Sequence, residues 1–125
     1  MIVGLGIDVF EVSRMERVLH DGDEHFNRDL FTPSEISYCN RQRYPAQHYA
    51  ARFAAKEAVV KALGLDGADG THWREIEICV GRGGVRYARL HGTLAALAKR
   101  RRISRVLLSL SHTRRLAIAS AVLER

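Results

Sequence analysis

The sequence predicts an α+β fold in which a mainly antiparallel sheet packs against helices, one of them long and central. Three observations predict it. Short stretches of alternating apolar residues are joined by short turns, one long alanine-rich segment consists of strong helix formers, and the chain has 125 residues. That length fits a single domain spanning residues 1–125. The predicted order of elements is βαααββαββ.

The first predicted element is a strand over residues 2–10, because apolar and other side chains alternate along it. One face carries Val3, Leu5, Ile7 and Val9, and the other carries Gly4, Gly6 and Asp8. Since the two glycines have no side chains, they leave room for a second element or a ligand beside the strand.

Three helices follow in the prediction. A Ser-x-x-Glu pattern at residues 13–16 predicts a capping box for a helix that ends near residue 20, before the Asp-Gly-Asp turn at 21–23. Thr-Pro-Ser-Glu at residues 32–35 predicts a second capped helix to about residue 40. After a predicted break at Tyr44-Pro45, the longest helix runs over residues 46–63 and stops at Gly64.

The remaining elements form the rest of the sheet. After a loop over residues 66–71, alternating residues at 76–80 and 85–90 flank Arg-Gly-Gly at 82–84, which predicts a hairpin. A short helix at residues 93–102 precedes two more strands, 105–111 and 116–123. Short turns between strands favour antiparallel pairing.

Charge and cysteine content limit the class of protein. Lysine and arginine exceed aspartate and glutamate by 20 to 14, and the net charge of +6 predicts an anionic partner. Cys39 and Cys79 form no C-x-x-C pair, which favours buried thiols in a reducing compartment. No apolar run approaches the roughly 18 residues needed to cross a bilayer, and no basic leader precedes the first strand. We therefore expect a cytoplasmic protein without a membrane partner.

Three residues carry the candidate chemistry. Glu57 and Lys61 stand four residues apart on the long helix, which is typical of an exposed pair worth about 0.3–0.5 kcal/mol. Here, however, small residues surround the pair, so charged side chains need a partner. Asp8 is either a turn residue or a ligand. Asp8 and Glu57 together suffice for Mg²⁺ if phosphate oxygens and water complete its shell, and Lys61 then faces the phosphates. This combination indicates phosphoryl-type transfer.

Two segments resemble the signatures of the short-class 4′-phosphopantetheinyl transferases, the holo-acyl-carrier-protein synthases. They are residues 4–12 with Arg14, and residues 52–64, Arg-Phe-Ala-Ala-Lys-Glu-Ala-Val-Val-Lys-Ala-Leu-Gly. Weaker similarity extends over the whole chain. The resemblance implies the fold of that family and a Mg²⁺-dependent transfer of phosphopantetheine from coenzyme A to a serine of an apo acyl carrier protein. The implied second product is adenosine 3′,5′-bisphosphate.

The same resemblance implies roles for individual residues. Asp8 and Glu57 would hold Mg²⁺ against the diphosphate, and Lys61 would contact the phosphates and stabilise the leaving group. Glu57 is the preferred general base and Glu35 the alternative. The residues implied to bind coenzyme A are Arg52, Lys61, Gly64, His112 and Thr113.

Two positions carry a second interpretation. His112 is either part of the coenzyme A site or a hairpin-end histidine with local hydrogen bonds. The family usually has a glycine, a basic residue and a proline before the third strand. This chain has Gly84-Val85-Arg86 instead, and we expect the adenine-side loop to differ in shape.

The resemblance also implies partners. Carrier proteins of this type are acidic helical bundles, which Arg14, Arg17 and Arg28 would steer and dock; the alternative for Arg17 is a solvated helix face. Members of the family form homotrimers with coenzyme A between neighbours, so that Asp8 and Glu57 come from one subunit and His112 from the next.

Two other classes of function remain as alternatives. A nucleic-acid-binding module would use the basic run at residues 99–102 with Arg105, but no known binding motif accompanies it and the nine aromatic residues are scattered. A catalytically silent copy inside a larger synthase is the second alternative. The presence of Asp8, Glu57 and Lys61 argues against it.

Overall fold

A five-stranded antiparallel sheet in the order β1-β5-β4-β3-β2 forms the centre of the fold, with the long helix α4 packed along one face. The computed structural model describes residues 1–22, 24–65 and 73–125, without the side chains of residues 24–26. The strands are β1 Ile2–Glu11, β2 Ile76–Val80, β3 Arg86–Leu90, β4 Arg105–His112 and β5 Leu116–Glu124. The helices are α1 Val12–Asp21, α2 Glu24–Leu30, α3 Pro33–Asn40, α4 Pro45–Ala62 and α5 Gly92–Arg100.

The structure confirms the α+β class, the antiparallel sheet, the hairpin of β2 and β3, and the long central helix. The predicted order holds for the elements that it named, and the described residues add one α-helix to it, α2, between β1 and β2. The additional helix α2 has seven residues, which is too short for an apolar period to be read. The predicted loop at residues 66–71 lies outside the described residues. None of the described helices is both long and apolar enough to span a bilayer.

The helix starts differ from their predictions in two places. The predicted capping box at residues 13–16 does not form, and the N-cap of α1 is Glu11, two residues before the predicted cap Ser13. The backbone N–H of Val12 donates to the Arg115 carbonyl at 2.8 Å, so a tertiary contact satisfies a group that a cap would otherwise serve. Pro45 does not break the chain but starts α4, where its missing N–H has no cost.

The capping box at Thr32 and Glu35 is confirmed. The Thr32 backbone N–H donates to Glu35 Oε1 at 2.8 Å, and the Glu35 N–H donates to Thr32 Oγ1 at 3.3 Å. Gly64 also ends α4 as predicted, with a φ of +70°. The N–H groups of Gly64 and Leu65 donate to carbonyls of Lys61 and Val60, which closes the helix in a Schellman motif.

Strand β1 lies directly against the backbone of α4 because two glycines remove the intervening side chains. A methyl group at Gly6 would stand 1.9 Å from the carbonyl oxygen of Ala58, and one at Gly4 would stand 2.4 Å from that of Ala62. Both distances are far below van der Waals contact. The room predicted beside β1 is therefore filled by α4, and Asp8 on the same face of the strand points to this helix.

A buried ion pair fixes α4 to the elements on its other side. Lys56 and Glu35 are both fully buried, and Lys56 Nζ donates to Glu35 Oε1 at 2.8 Å. Lys56 also donates to the carbonyls of Trp73 and Ile76, and Glu35 Oε2 accepts from the Ile78 N–H. Burial lowers the pKa of Lys56, and the charge of Glu35 opposes this effect. One pair thus joins α3, α4 and β2.

We predict that Lys56→Met lowers the free energy of unfolding by about 3–5 kcal/mol, because it leaves Glu35 charged and buried without its partner. The measurement is urea denaturation at neutral pH. The double variant Glu35→Gln/Lys56→Met removes both charges and should lose less than Lys56→Met alone. A double variant that is less stable than the single one would contradict this account of the pair.

We predict that Gly6→Ala destabilises the protein by about 3 kcal/mol or more, because the added methyl forces β1 away from the α4 backbone. Gly81→Ala is the matched control, since a methyl there would lie 3.4 Å from its nearest neighbour. Denaturant melts of the two variants decide the point. Equal stability of Gly6→Ala and Gly81→Ala would show that β1 does not need close approach to α4.

Candidate active site

A cluster of two carboxylates and one lysine forms where β1 crosses α4. Asp8 comes from β1, and Glu57 and Lys61 come from successive turns of α4. Lys61 Nζ donates to Asp8 Oδ1 at 2.9 Å and to the Ile7 carbonyl at 3.1 Å. The hydrogen bond to Asp8 and its charge raise the pKa of Lys61. The structure therefore brings together the three residues that sequence reasoning chose.

Glu57 is half-buried and has a perturbed pKa. Burial raises the pKa of Glu57, and the neighbouring charge of Asp8 raises it further, while Lys61 and Arg14 act in the opposite direction. Two carboxylates near one another repel when both are ionised. A cation or a proton between them would relieve this repulsion, so the cluster has the electrostatics of a cation site or of a general base.

The donor set fits Mg²⁺ better than a softer metal. Carboxylate oxygens are hard ligands, and Mg²⁺ usually takes one or two from protein and the remainder from water and phosphates. In the described part of the chain no three His, Cys, Asp or Glu side chains come together. Asp8 and Glu57 can therefore supply two ligands, and a phosphate-bearing substrate and water would have to supply the others.

The alternative general base is unsuited to that role. Glu35 is 1% exposed, and its two oxygens accept hydrogen bonds from Lys56 and from the backbone of Thr32 and Ile78. A base must reach the proton that it removes. Because Glu35 is enclosed and fully bonded, only Glu57 of the two candidates remains accessible.

A second site lies on another face of α4. It is a cavity of about 510 Å³, which we call the Arg52 cavity, and it is lined by the β2–β3 turn together with Tyr38, His48, Arg52 and His112. Arg52 is 3% exposed, and its guanidinium stacks on the Tyr38 ring at 3.9 Å. Its Nε finds no acceptor among the described residues. A buried arginine without a carboxylate partner is costly, and an anionic ligand in the cavity would pair with it.

His48 was missed by the sequence analysis. Its ring lies 5.1 Å from the ring of His112 and 5.9 Å from that of Tyr38, measured between centroids. Burial lowers the pKa of His48, and the charges of His112, Arg52 and Arg86 lower it further. The available signal was its spacing, since His48 precedes Arg52 by four residues and shares its helix face. His112 also lines this cavity, where its ring contacts that of His48.

Other predicted residues have mainly structural contacts. Thr113 Oγ1 accepts from the N–H groups of Arg115 and Leu116 and so closes the β4–β5 turn. Gly64 has open space beside it. Arg86, in the place of the usual proline, donates to the Gly84 carbonyl at 2.8 Å and holds the turn from within. With this hydrogen bond in place, the β2–β3 turn still lines the Arg52 cavity.

The three arginines chosen for a protein partner lie on α1 and α2. Arg14 and Arg17 are exposed on α1, and Arg28 is exposed in the last turn of α2. Arg14 stacks on Phe10 with 4.8 Å between its guanidinium carbon and the ring centroid. Phe10 lies on β1 two residues after Asp8, and the charge of Arg14 lowers the pKa of Glu57. A partner held by α1 would therefore lie next to the carboxylate cluster.

Comparison with known proteins gives these two sites a family. The model of the 4′-phosphopantetheinyl transferase superfamily matches residues 4–119. A holo-[acyl-carrier-protein] synthase from Geobacter sp. strain M21 is 41% identical over 125 residues, which is the full length of both chains.

Solved structures of holo-[acyl-carrier-protein] synthases have the same fold as this chain. A crystal structure of holo-[acyl-carrier-protein] synthase from Neisseria meningitidis covers 100% of both chains with a TM-score of 0.88 and 30% identity. The Helicobacter pylori synthase in complex with coenzyme A covers 96% of this chain and 99% of its own, with a TM-score of 0.82 and 26% identity. The chain therefore belongs to the 4′-phosphopantetheinyl transferase superfamily and, within it, to the holo-[acyl-carrier-protein] synthases.

Proposed function

We propose that this protein transfers the 4′-phosphopantetheine group from coenzyme A to a serine hydroxyl of an apo acyl carrier protein, with Mg²⁺ as cofactor and adenosine 3′,5′-bisphosphate as second product. The observation that carries the proposal is the meeting of Asp8, Glu57 and Lys61 where β1 crosses α4. The names of the full-length relatives support the same transfer.

The reaction needs a base, a means of charge neutralisation and a group that stabilises the departing phosphate. Asp8 and Glu57 would hold Mg²⁺, which when bound neutralises the diphosphate and polarises its phosphorus. Glu57, directly or through a water molecule, takes the proton from the carrier serine. The serine oxygen bonds to the β-phosphorus as the bond to the bridging oxygen breaks. Lys61 stabilises the charge that develops on the leaving bisphosphate.

The Arg52 cavity would take the nucleotide end of coenzyme A. Arg52, His48, His112 and Arg86 surround it with basic groups, and Ala51, Leu108 and Leu110 supply apolar surface. An adenosine with a 3′-phosphate needs basic groups for its phosphate and apolar surface for its base. The charge of the phosphate would satisfy the buried guanidinium that has no carboxylate partner in the described chain.

One copy of the chain cannot easily present both halves of this site to a single coenzyme A molecule. Arg52 and Glu57 are five residues apart on α4, which places them about 140° apart around the helix. A site shared between neighbouring copies would solve this geometric problem, with the Arg52–His112 half from one subunit and the Asp8–Glu57 half from the next.

The outer face of the sheet suits such an assembly. Leu5, Ile7 and Val9 are 71%, 60% and 55% exposed, and Leu116 and Ile118 on the adjacent β5 are 45% and 42% exposed. Contiguous apolar surface of this kind marks an interface. We propose a homotrimer in which this face packs against further copies of the chain, and a cytoplasmic location, where Cys39 and Cys79 would stay unpaired as they are here.

Carrier binding would use the exposed arginines of α1 and α2. Arg14 stacks on Phe10 of β1, the strand that carries Asp8, so an acidic carrier docked on α1 would hold its serine near the base. Attraction between such charges raises the rate of encounter and weakens with salt. Carriers of fatty-acid and of polyketide synthesis are both suitable substrates on this chemistry.

The direct test incubates the protein with coenzyme A, Mg²⁺ and an apo carrier protein and then weighs the carrier. We predict a gain of one phosphopantetheine in the wild type, a loss of transfer of at least a hundredfold in Asp8→Ala and Glu57→Gln, and near-normal transfer in the control Glu16→Gln on the exposed face of α1. An unchanged carrier mass with both fatty-acid and polyketide carriers, or full activity in Asp8→Ala, would overturn the proposal.

We also predict that coenzyme A binding is linked to protonation of His48. The pKa of His48 lies below its ordinary value in the free protein, and an adjacent phosphate would favour the imidazolium and raise it. Binding should therefore take up protons near pH 6.5 and strengthen as the pH falls towards 6.

Calorimetry in buffers of different ionisation enthalpy measures this uptake. We expect smaller uptake in His48→Gln with coenzyme A, and smaller uptake in the wild type with dephospho-coenzyme A, which lacks the 3′-phosphate. Equal proton uptake by His48→Gln and the wild type would exclude His48 as the linked group.

A further inference from the structure

A second cavity, which the proposed reaction does not use, lies between β3 and β4. These strands pair only at Arg86 with Leu108 and at Tyr87 with Leu107. Beyond those pairs they separate towards Leu90 and Arg105, and α5 closes the gap from one side. We call the resulting cavity of about 680 Å³ the β3–β4 cleft. Of the residues that line the two cavities, Val85 alone is common to both.

The walls of the β3–β4 cleft are mainly apolar and its rim is basic. The apolar walls are formed by Ala88, Leu90, Ala95, Ala98, Ile103 and Val106. Four basic side chains also line it, Arg82, Arg89, Lys99 and Arg105, and the lining given by the described residues contains no Asp or Glu. Arg105 pairs with Glu124, and Arg89 lies 3.9 Å from Glu77. In the described chain, Arg82 and Lys99 have no such partner.

This combination selects the chemistry of a ligand. A small hydrophilic anion would leave the apolar walls exposed to water. A neutral hydrocarbon would leave Arg82 and Lys99 without an anionic partner. The volume lies within the usual range for ligand sites, which are mostly apolar with a few polar groups that fix orientation. The basic run at residues 99–102 is divided in the fold, since Arg101 donates to the Leu63 carbonyl at the end of α4 while Lys99 faces the cleft.

We propose that the β3–β4 cleft binds a single-chain fatty acid, with its hydrocarbon tail against the apolar walls and its carboxylate between Lys99 and Arg82. The site is separate from the groups of the transfer reaction, because it contains no charged or catalytic residue of either half of the proposed active site and shares only the side chain of Val85 with the Arg52 cavity. Charge complementarity distinguishes this occupant from an uncharged lipid, and the apolar lining with its volume of about 680 Å³ distinguishes it from a short-chain acid.

The test uses the full chain labelled with ¹⁵N and the monomeric probe dodecanoate, kept below its micelle concentration. We expect saturable amide shifts centred on β3 and α5. Arg82→Glu/Lys99→Glu should weaken binding at least tenfold, and Ala95→Phe, which fills the cleft, should abolish it. Arg100→Glu, on the same helix but outside the lining, is the charge-reversal control and should bind within twofold of the wild type.

Several outcomes would overturn the proposal. They are shifts confined to other surfaces, equal affinity for dodecanol or acetate, an equal loss in Arg100→Glu, and binding to anionic vesicles without binding to monomeric dodecanoate. Should Ala95→Phe fail to fold, the surface variant Arg82→Glu/Lys99→Glu still decides the question, because it leaves the apolar walls intact.

Discussion

The close approach of β1 to the backbone of α4 is the constraint on which the rest of the structure depends. Gly4 and Gly6 leave no side chain between strand and helix, so a single methyl at Gly6 would meet the Ala58 carbonyl at 1.9 Å. Asp8 follows on the same face of β1 and reaches Lys61 at 2.9 Å. Glu57 lies on α4, so the separation of Asp8 from Glu57 depends on how closely the β1 backbone packs against α4. Packing of backbone on backbone is stiffer than contact between side chains.

The charged residues of helix α4 serve three different purposes, because they point in different directions from a buried helix. Lys56 turns inward and pairs with Glu35. Arg52 stacks on Tyr38 in a cavity and lacks a carboxylate partner in the described chain. Glu57 and Lys61 meet β1. The first of these holds the helix in place, and the other two sets supply the binding and chemical groups of the proposed transfer.

The sequence predicted what depends on local pattern or on the two signature segments, and it missed what depends on tertiary contact. The alternation in β1, the stop at Gly64 and the capping box at Thr32 are local and were confirmed. The box at Ser13 failed because a carbonyl from the β4–β5 turn, that of Arg115, satisfies the helix start. The Lys56–Glu35 pair and the contact of His48 with His112 each join residues from different elements, so spacing alone could not reveal them.

The central claim, that the acids of β1 and α4 hold one divalent cation, is tested most directly by crystals grown with Mn²⁺ in place of Mg²⁺ and with coenzyme A. The anomalous scattering of Mn²⁺ distinguishes it from a water molecule at the same position. We expect a strong peak within coordination distance of one oxygen of Asp8 and one of Glu57. A peak elsewhere, or a fully loaded coenzyme A site without Mn²⁺ between these two side chains, would contradict it.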